Sequence, residues 1–258
     1  VLGLTQLVHG QNMHVSHYSA ANGLPSNEVR HVALDSLGFA WIATDEGLVR
    51  FDGIQFESYT QYVPSQYGKH LLATNEGLLL SHDAGISLIQ PELDTTKISL
   101  LQKASIDPKD SLLYYPNRIF KRSNGDVLVG QPGGEVHRIS QEGLKQLLPR
   151  SGDEGKRGLD LFFAELNEQL WIAYSDGSLH VYNETSGLLE QKALYPVIRD
   201  MKSSGNALWI ASDKIYRIQL TSDSKEIETD EAFQSPPGKV SALALDTEDN
   251  IYLGIENL

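Results

Sequence analysis

Three groups of residues in this sequence carry side chains that could bind or transform a ligand. His14 and His17 form an H-x-x-H pair, and Asp223, Glu226, Glu228, Asp230 and Glu231 form an acidic run. Arg30, Asn117, Asp160, Arg199 and Ser241 share one place in a repeating pattern. The two histidines lie in strand-like sequence, where a separation of three puts side chains on opposite faces, so they do not converge on a metal. The acidic run lacks the Gly at position six and the Glu at position twelve that a calcium loop starting at Asp223 needs, and it reads as a solvated loop. Cysteine is absent, which removes thiol nucleophiles, disulfides and Cys-based metal sites. No Ser/His/Asp constellation and no isolated carboxylate pair can be assembled. The expectation is therefore no catalytic residue, no metal and no cofactor, which leaves binding by the third group.

The elements that must position that group centre on Trp41 to Gly53, WIATDEGLVRFDG. It reads as a strand (Trp41 to Thr44), a Gly-containing turn, a second strand (Leu48 to Phe51) and an Asp52-Gly53 turn. Asp-Gly between apolar runs is a strong hairpin signal of the type I′ kind. The stretch recurs without a gap at Leu78 to Ile89 and Leu170 to Val181, and more loosely from Val127, Leu208 and Ile251. Counterparts of Trp41 are Leu79, Leu128, Trp171, Trp209 and Tyr252, giving steps of 38, 49, 43, 38 and 43 residues. That is the period of a β-propeller blade. The three tryptophans share one repeat position and are packing residues rather than sugar-stacking platforms. Gly47, Gly85, Gly134 and Gly177, each six residues later, are turn formers rather than phosphate cradles.

Taken in order, Met13 to Ser19 looks like an outer strand that could complete the last blade and close the ring. Blade one runs from Glu28 to Tyr59, blade two from Lys69 to about Gln102, blade three from Arg118 to about Leu148, blade four from Leu159 to about Leu194, and blade five from Val197 to about Ile227. Lys103 to Pro116 is an insertion loop, Arg150 to Gly158 a mobile one, and Thr229 to Lys239 a polar connection. Val240 to Asp246 and Ile251 to Gly254 begin a sixth blade that is incomplete, and the natural polypeptide is expected to continue past Leu258. The fold class is all-β, a propeller of about 42-residue four-stranded blades occupying residues 13–258.

With 21 basic and 34 acidic residues, net charge −13, the chain would repel a phosphate backbone, and nucleic acid is excluded as a partner. No run of 18 apolar residues exists, so this segment makes no membrane contact of its own. Residues 1–12 resemble the tail of a signal peptide, Val1 to Val8 being mildly apolar ahead of His9-Gly10; a disordered leader is the alternative.

Inner strands of a propeller line its channel, and their first residues meet at one rim. Counting eleven residues back from the Trp41 position gives Arg30, Asn117, Asp160 and Ser241, and one deletion in blade five adds Arg199. All five are polar, and an arginine fork suits carboxylates and sugar hydroxyls. Arg30, Asn117 and Arg199 are the candidate ligand-binding residues; solvated strand ends beside a water-filled channel are the competing reading.

Asp35 to Trp41 is similar to the Asp box of sialidase-type propellers, with Asp and Gly three apart instead of two, and such boxes are structural. Asn22 to Gly53 closely resembles the two-component regulator propeller repeat, whose G-L-x-x-N-x-V, D-x-x-G, W-I-A-T and G-L-x-R-F-D-G segments all occur in it. The resemblance implies a seven-bladed ring in the periplasmic sensor region of a bacterial inner-membrane receptor with a kinase or cyclase output. It also implies a small-molecule or oligosaccharide signal and a homodimer. Two other readings stay open: a protein-docking propeller without a small ligand, and an exported propeller hydrolase or lyase.

Overall fold

The computed structural model describes residues 16–92, 95–105, 113–140, 142–149, 160–220, 227–231, 239–245 and 251–256. These form five four-stranded antiparallel sheets and one two-stranded sheet. Blade one comprises β1 (Val29–Leu34), β2 (Ala40–Thr44), β3 (Leu48–Phe51) and β4 (Phe56–Ser58). Blade two is β5 (Gly68–Thr74), β6 (Gly77–His82), β7 (Gly85–Pro91) and β8 (Thr96–Lys103), and blade three is β9 (Arg118–Lys121), β10 (Val127–Gly130), β11 (Val136–Ser140) and β12 (Gly143–Leu148). Blade four is β13 (Leu161–Leu166), β14 (Gln169–Tyr174), β15 (Ser178–Asn183) and β16 (Leu188–Leu194); blade five is β17 (Asp200–Ser204), β18 (Ala207–Ala211), β19 (Ile215–Leu220) and β20 (Ile227–Glu231). The sixth sheet holds β21 (Lys239–Leu245) and β22 (Ile251–Glu256). Each blade is a meander, and the inner strands β1, β5, β9, β13, β17 and β21 neighbour one another in chain order. This is a propeller arrangement. Among the described residues the only helices are single 3₁₀ turns, Ala20–Asn22 and Thr60–Tyr62.

Period-two alternation gives each sheet two apolar faces, and the core is a series of layers between blades. Trp41, Ala43 and Leu48 of blade one pack on Leu71, Leu78, Leu80 and Ile89 of blade two. Trp171, Ala173 and Leu179 of blade four meet Met201, Leu208 and Ile210 of blade five. Leu79 and Leu128 occupy the same place facing blades three and four. The repeat position thus faces the next blade each time. Trp41 and Trp171 are essentially fully buried, each contributing up to roughly 5 kcal/mol from about 200 Å² of ring surface. Trp209 is half-buried, because its partners Ile251 and Leu253 belong to the two-stranded sheet.

Glycines at the β2–β3-type turns do more than turn. Gly177 has φ +95°, and a Cβ there would collide with the carbonyl of Tyr195. The turn therefore lies flat on the chain leaving the outer strand, which only glycine allows.

Several sequence-based expectations change. Ser16 to Ser19 is not a strand; Tyr18 packs edge-on against Phe51 and Phe56, ring centres 4.9 and 5.5 Å apart, so this segment covers blade one's own free face. The rest of the expected Met13 strand, and the boundary at residue 12, lie outside the described residues. Asp52-Gly53 is not a type I′ turn: Phe51 pairs with Phe56 across a four-residue loop in which Asp52 Oδ1 accepts from the N–H groups of Ile54 and Gln55, both at 2.8 Å. Positive φ at both central residues occurs instead at Asn167 (+51°) and Glu168 (+62°), the two-residue link closing the Leu166–Gln169 pair. Blade five ends on β20, so Thr229 to Glu231 belongs to a strand rather than a connection, as do Glu228, Asp230 and Glu231 of the acidic run. Asp223, Glu226 and the loop from Arg150 to Gly158 lie outside the described residues. The insertion after β8 is anchored: Ala104 and Leu113 are buried between blades two and three, and Ser105 bridges to Tyr114.

Candidate functional site

Antiparallel meanders that start at the centre place the first residue of every inner strand at the same rim. Three inner strands add a device there. The ladder skips a residue between Val29 and His31, between Gly68 and His70, and between Val240 and Ala242. The skipped residues are Arg30, Lys69 and Ser241. A bulge re-aims the extra side chain and is common beside functional sites.

Arg30, Asn117 and Asp160 come together at this mouth, lining a cavity of about 310 Å³ with Lys69, Tyr67 and Tyr115. The charges are interleaved. Arg30 lies 3.9 Å from Asp45, and Lys69 pairs with Asp83 at 2.6 Å. Asn117 Nδ2 donates to Asp160 Oδ1 at 3.2 Å, which links blades three and four. Lys69 Nζ also sits 4.8 Å above the Tyr115 ring, and Tyr115 holds φ +44°, a left-handed conformation costing on the order of 1 kcal/mol for a non-glycine residue. These exposed and half-exposed pairs add little stability, on the order of 0–1 kcal/mol each.

Arg199 stands at the corresponding start of β17 but does not line that cavity. Its guanidinium donates to the Ser212 carbonyl, and its N–H to Ala211 at 2.9 Å. Ser241 is likewise turned inward, its hydroxyl donating to Gly254 at 3.3 Å. Lys69 was missed by counting. Eleven back from Leu79 is Gly68, because the β5–β6 link is shorter than β1–β2: Leu79 pairs with Leu72, seven residues earlier, whereas Trp41 pairs with Ala33, eight earlier. Aligning blades on their hairpins rather than on one ruler residue would have found it.

One step further along the inner strands, the channel itself holds a cavity of about 370 Å³ lined by His31, His70, Arg118, Phe162, Asp200 and Lys202, among others. The His31 and His70 rings lie 3.9 Å apart. His31 is pushed down to about 4, by burial first and then by the charges of Arg118 and Lys202. His70 is held well below its ordinary value by burial, then by His31, Arg118 and Lys202. Both are neutral at pH 7. The Nδ1 atoms of both rings are buried without a hydrogen-bond partner among the described residues. Arg118 sits over the Phe162 ring at 4.8 Å. Burial works against its charge, and the carboxylates of Asp200 and Asp160 work for it. Asp200 is fully engaged, accepting from Lys202 Nζ at 3.2 Å and from the N–H groups of Met201 and Leu243, each at 2.9 Å.

His17 is exposed and His14 lies outside the described residues, so the H-x-x-H pair is half described. No group of three His, Asp or Glu residues converges on a possible metal position among the described residues. No described helix is long and apolar enough to cross a membrane.

No protein-family model and no curated protein matches this chain. Solved structures do. The extracellular domain ascribed to the hybrid two-component system BT4673 of B. thetaiotaomicron is similar at TM-score 0.68 and 20% identity, over 90% of this chain and 33% of that one. That of BT3049 from the same organism matches at 0.53 and 16%, over 93% and 40%. A catalytically inactive virginiamycin B lyase from Staphylococcus aureus matches at 0.64 and 16%, over 88% of this chain and 77% of the lyase. This chain spans about a third of the length of the BT4673 domain. At these identities the likeness establishes the fold, a β-propeller.

Proposed function

We propose that this chain is an extracytoplasmic ligand-sensing segment of a bacterial transmembrane signalling receptor of the two-component or diguanylate cyclase type. It belongs to a seven-bladed ring, acts in the periplasm as part of a homodimer, and reads a small-molecule or oligosaccharide signal without transforming it. The sensor reading is supported by the first repeat's resemblance to the two-component regulator propeller and by the likeness to two extracellular domains of two-component systems. The observation that carries ligand binding is the mouth, where Arg30, Lys69, Asn117 and Asp160 from four successive blades line one cavity. A pocket of this size, with a few convergent polar groups, is the usual form of a small-ligand site.

Arg30 and Asn117 contact the signal from this rim with Lys69 beside them. Arg199, at the corresponding start of β17, lies outside the lining of this cavity, and its guanidinium donates to the Ser212 carbonyl. Of the carboxylates at the mouth, Asp83 pairs with Lys69 and Asp160 accepts from Asn117, while Asp45 lies 3.9 Å from Arg30. Replacing Arg30 and Asn117 by Ala in the full-length receptor, with folding checked, is expected to abolish the signalling response to its inducing glycan. An unchanged response places the ligand elsewhere, and turnover of a glycoside or lactone by this chain supports the lyase-type reading instead.

A further inference from the structure

The rim does not account for the channel interior. We infer that the channel holds a second, separate site, built around Arg118, for a small hydroxylated carboxylate up to the size of a hexuronate. The argument starts from charge. Five ionisable side chains face this cavity from the inner strands: His31 on β1, His70 on β5, Arg118 on β9, and Asp200 and Lys202 on β17. Asp200 and Lys202 neutralise one another, and Asp200 spends its second oxygen on blade six. The two imidazoles are neutral. Of these five, Arg118, half-buried on β9, is left as the one cation with no hydrogen-bond acceptor among the described residues.

A half-buried guanidinium that faces a cavity with only solvent as acceptor has its full fork free for a ligand. A carboxylate matches its fork with two parallel hydrogen bonds. Phe162 already stacks on one face of the guanidinium and fixes its plane, so little order need be imposed on binding. The remaining features describe the rest of the ligand. His31 and His70 offer two buried Nδ1 atoms with no partner, each able to donate or accept according to tautomer, and Ser203 adds a hydroxyl at the cavity wall. Those groups suit hydroxyls rather than further charges. Phe120, Phe162 and Phe163 provide aromatic wall against which the C–H face of a sugar ring packs. The volume of about 370 Å³ lies at the small end of ligand cavities, roughly 300–1,000 Å³. The chain's net charge of −13 is no bar, since exposed charges are screened over about 8 Å at physiological salt.

The inference does not depend on the rim, because none of Arg30, Lys69, Asn117 or Arg199 lines this cavity. The test is calorimetric titration of the chain with D-glucuronate, D-galacturonate and D-gluconate, with D-glucose as the neutral counterpart and inorganic phosphate as the simple anion. At least one carboxylate is expected to bind saturably with a stoichiometry of one, at least tenfold more tightly than glucose or phosphate. Arg118→Gln is expected to weaken it at least tenfold, whereas Arg30→Ala leaves it unchanged. Should Arg118→Gln fold poorly, the unaltered chain suffices: the ring signals of His31 and His70 in a nitrogen-labelled sample should shift saturably with the carboxylate and not with glucose. Absence of saturable binding by all three carboxylates, equal binding of glucose or phosphate, or full affinity in folded Arg118→Gln overturns the site. Weakening by Arg30→Ala instead moves the carboxylate to the rim.

Discussion

Removing the Asp35 side chain should destabilise the chain through one buried indole. Asp35 is nearly buried, at 9% exposure, and its carboxylate accepts three hydrogen bonds: from Leu37 N–H at 2.9 Å, Phe39 N–H at 3.0 Å and Trp41 Nε1 at 2.8 Å. Water can replace Asp35 at the two turn amides, so their loss costs about 0.5–1 kcal/mol each. Trp41 is 0% exposed, so its N–H is orphaned, at about 1–3 kcal/mol. Asp35→Ala is therefore expected to cost about 2–5 kcal/mol in all. Asp35→Asn keeps an oxygen for the turn but presents an N–H to the indole, and should cost about 1–3 kcal/mol. The same repeat position supplies a control. Trp171 is as buried as Trp41, yet its Nε1 has no partner among the described residues, because the short Asn167-Glu168 link offers no acceptor. Trp41→Phe strands the Asp35 carboxylate while Trp171→Phe removes an orphan donor, so at equal loss of ring area the former should cost about 1–3 kcal/mol more. The assay is urea unfolding followed by circular dichroism, reading the midpoint at constant slope. Loss of under about 0.5 kcal/mol in Asp35→Ala, or a costlier Trp171→Phe, refutes the reasoning.

Gly177→Ala should cost several times the roughly 1–2 kcal/mol that positive φ alone costs a side chain, since at φ +95° the added methyl also meets the Tyr195 carbonyl; Gly38→Ala, also at positive φ but with open space around it, is the comparison, and equal losses would contradict the close approach. Stability should fall as pH drops from about 6.5 to about 4. His31 and His82 are both pushed down to about 4, chiefly by burial, so the unfolded chain takes up protons first. The stability is fully present above pH 6.5 and is lost towards pH 4. Urea midpoints that stay flat across that window, or rise on acidification, contradict the buried neutral rings.

Much of the fold was legible because a propeller repeats its code. Trp41, Leu79, Leu128 and Trp171, at one repeat position, each bury an apolar side chain against the next blade, so one well-formed repeat identified the degenerate ones. What failed was local. Asp52-Gly53 carried a hairpin signal, but the Asp52 carboxylate could cap two amides only in a longer loop, and that bond outweighs dipeptide preference. Met13 to Ser19 looked like an outer strand, yet the Tyr18 ring is used to cover Phe51 and Phe56. The rim was readable where the hairpin had the usual length, at Arg30 and Asn117. It was missed at Lys69, where a link one residue shorter shifts the count onto Gly68. Arg118, His31 and His70 carried no signal, since a charged residue on an inner strand looks like any solvated position until the channel is drawn around it.

The central claim, that this propeller recognises a small molecule from its channel mouth, is tested most directly by hydrogen-exchange mapping of the chain against a panel of neutral, acidic and amino mono- and oligosaccharides. A ligand that binds saturably is expected to slow exchange at the starts of β1, β5 and β9, around Arg30, Lys69 and Asn117, and to leave the outer strands β4, β8 and β12 unchanged. Protection confined to the outer strands, or no saturable binding by any member of the panel, would contradict it.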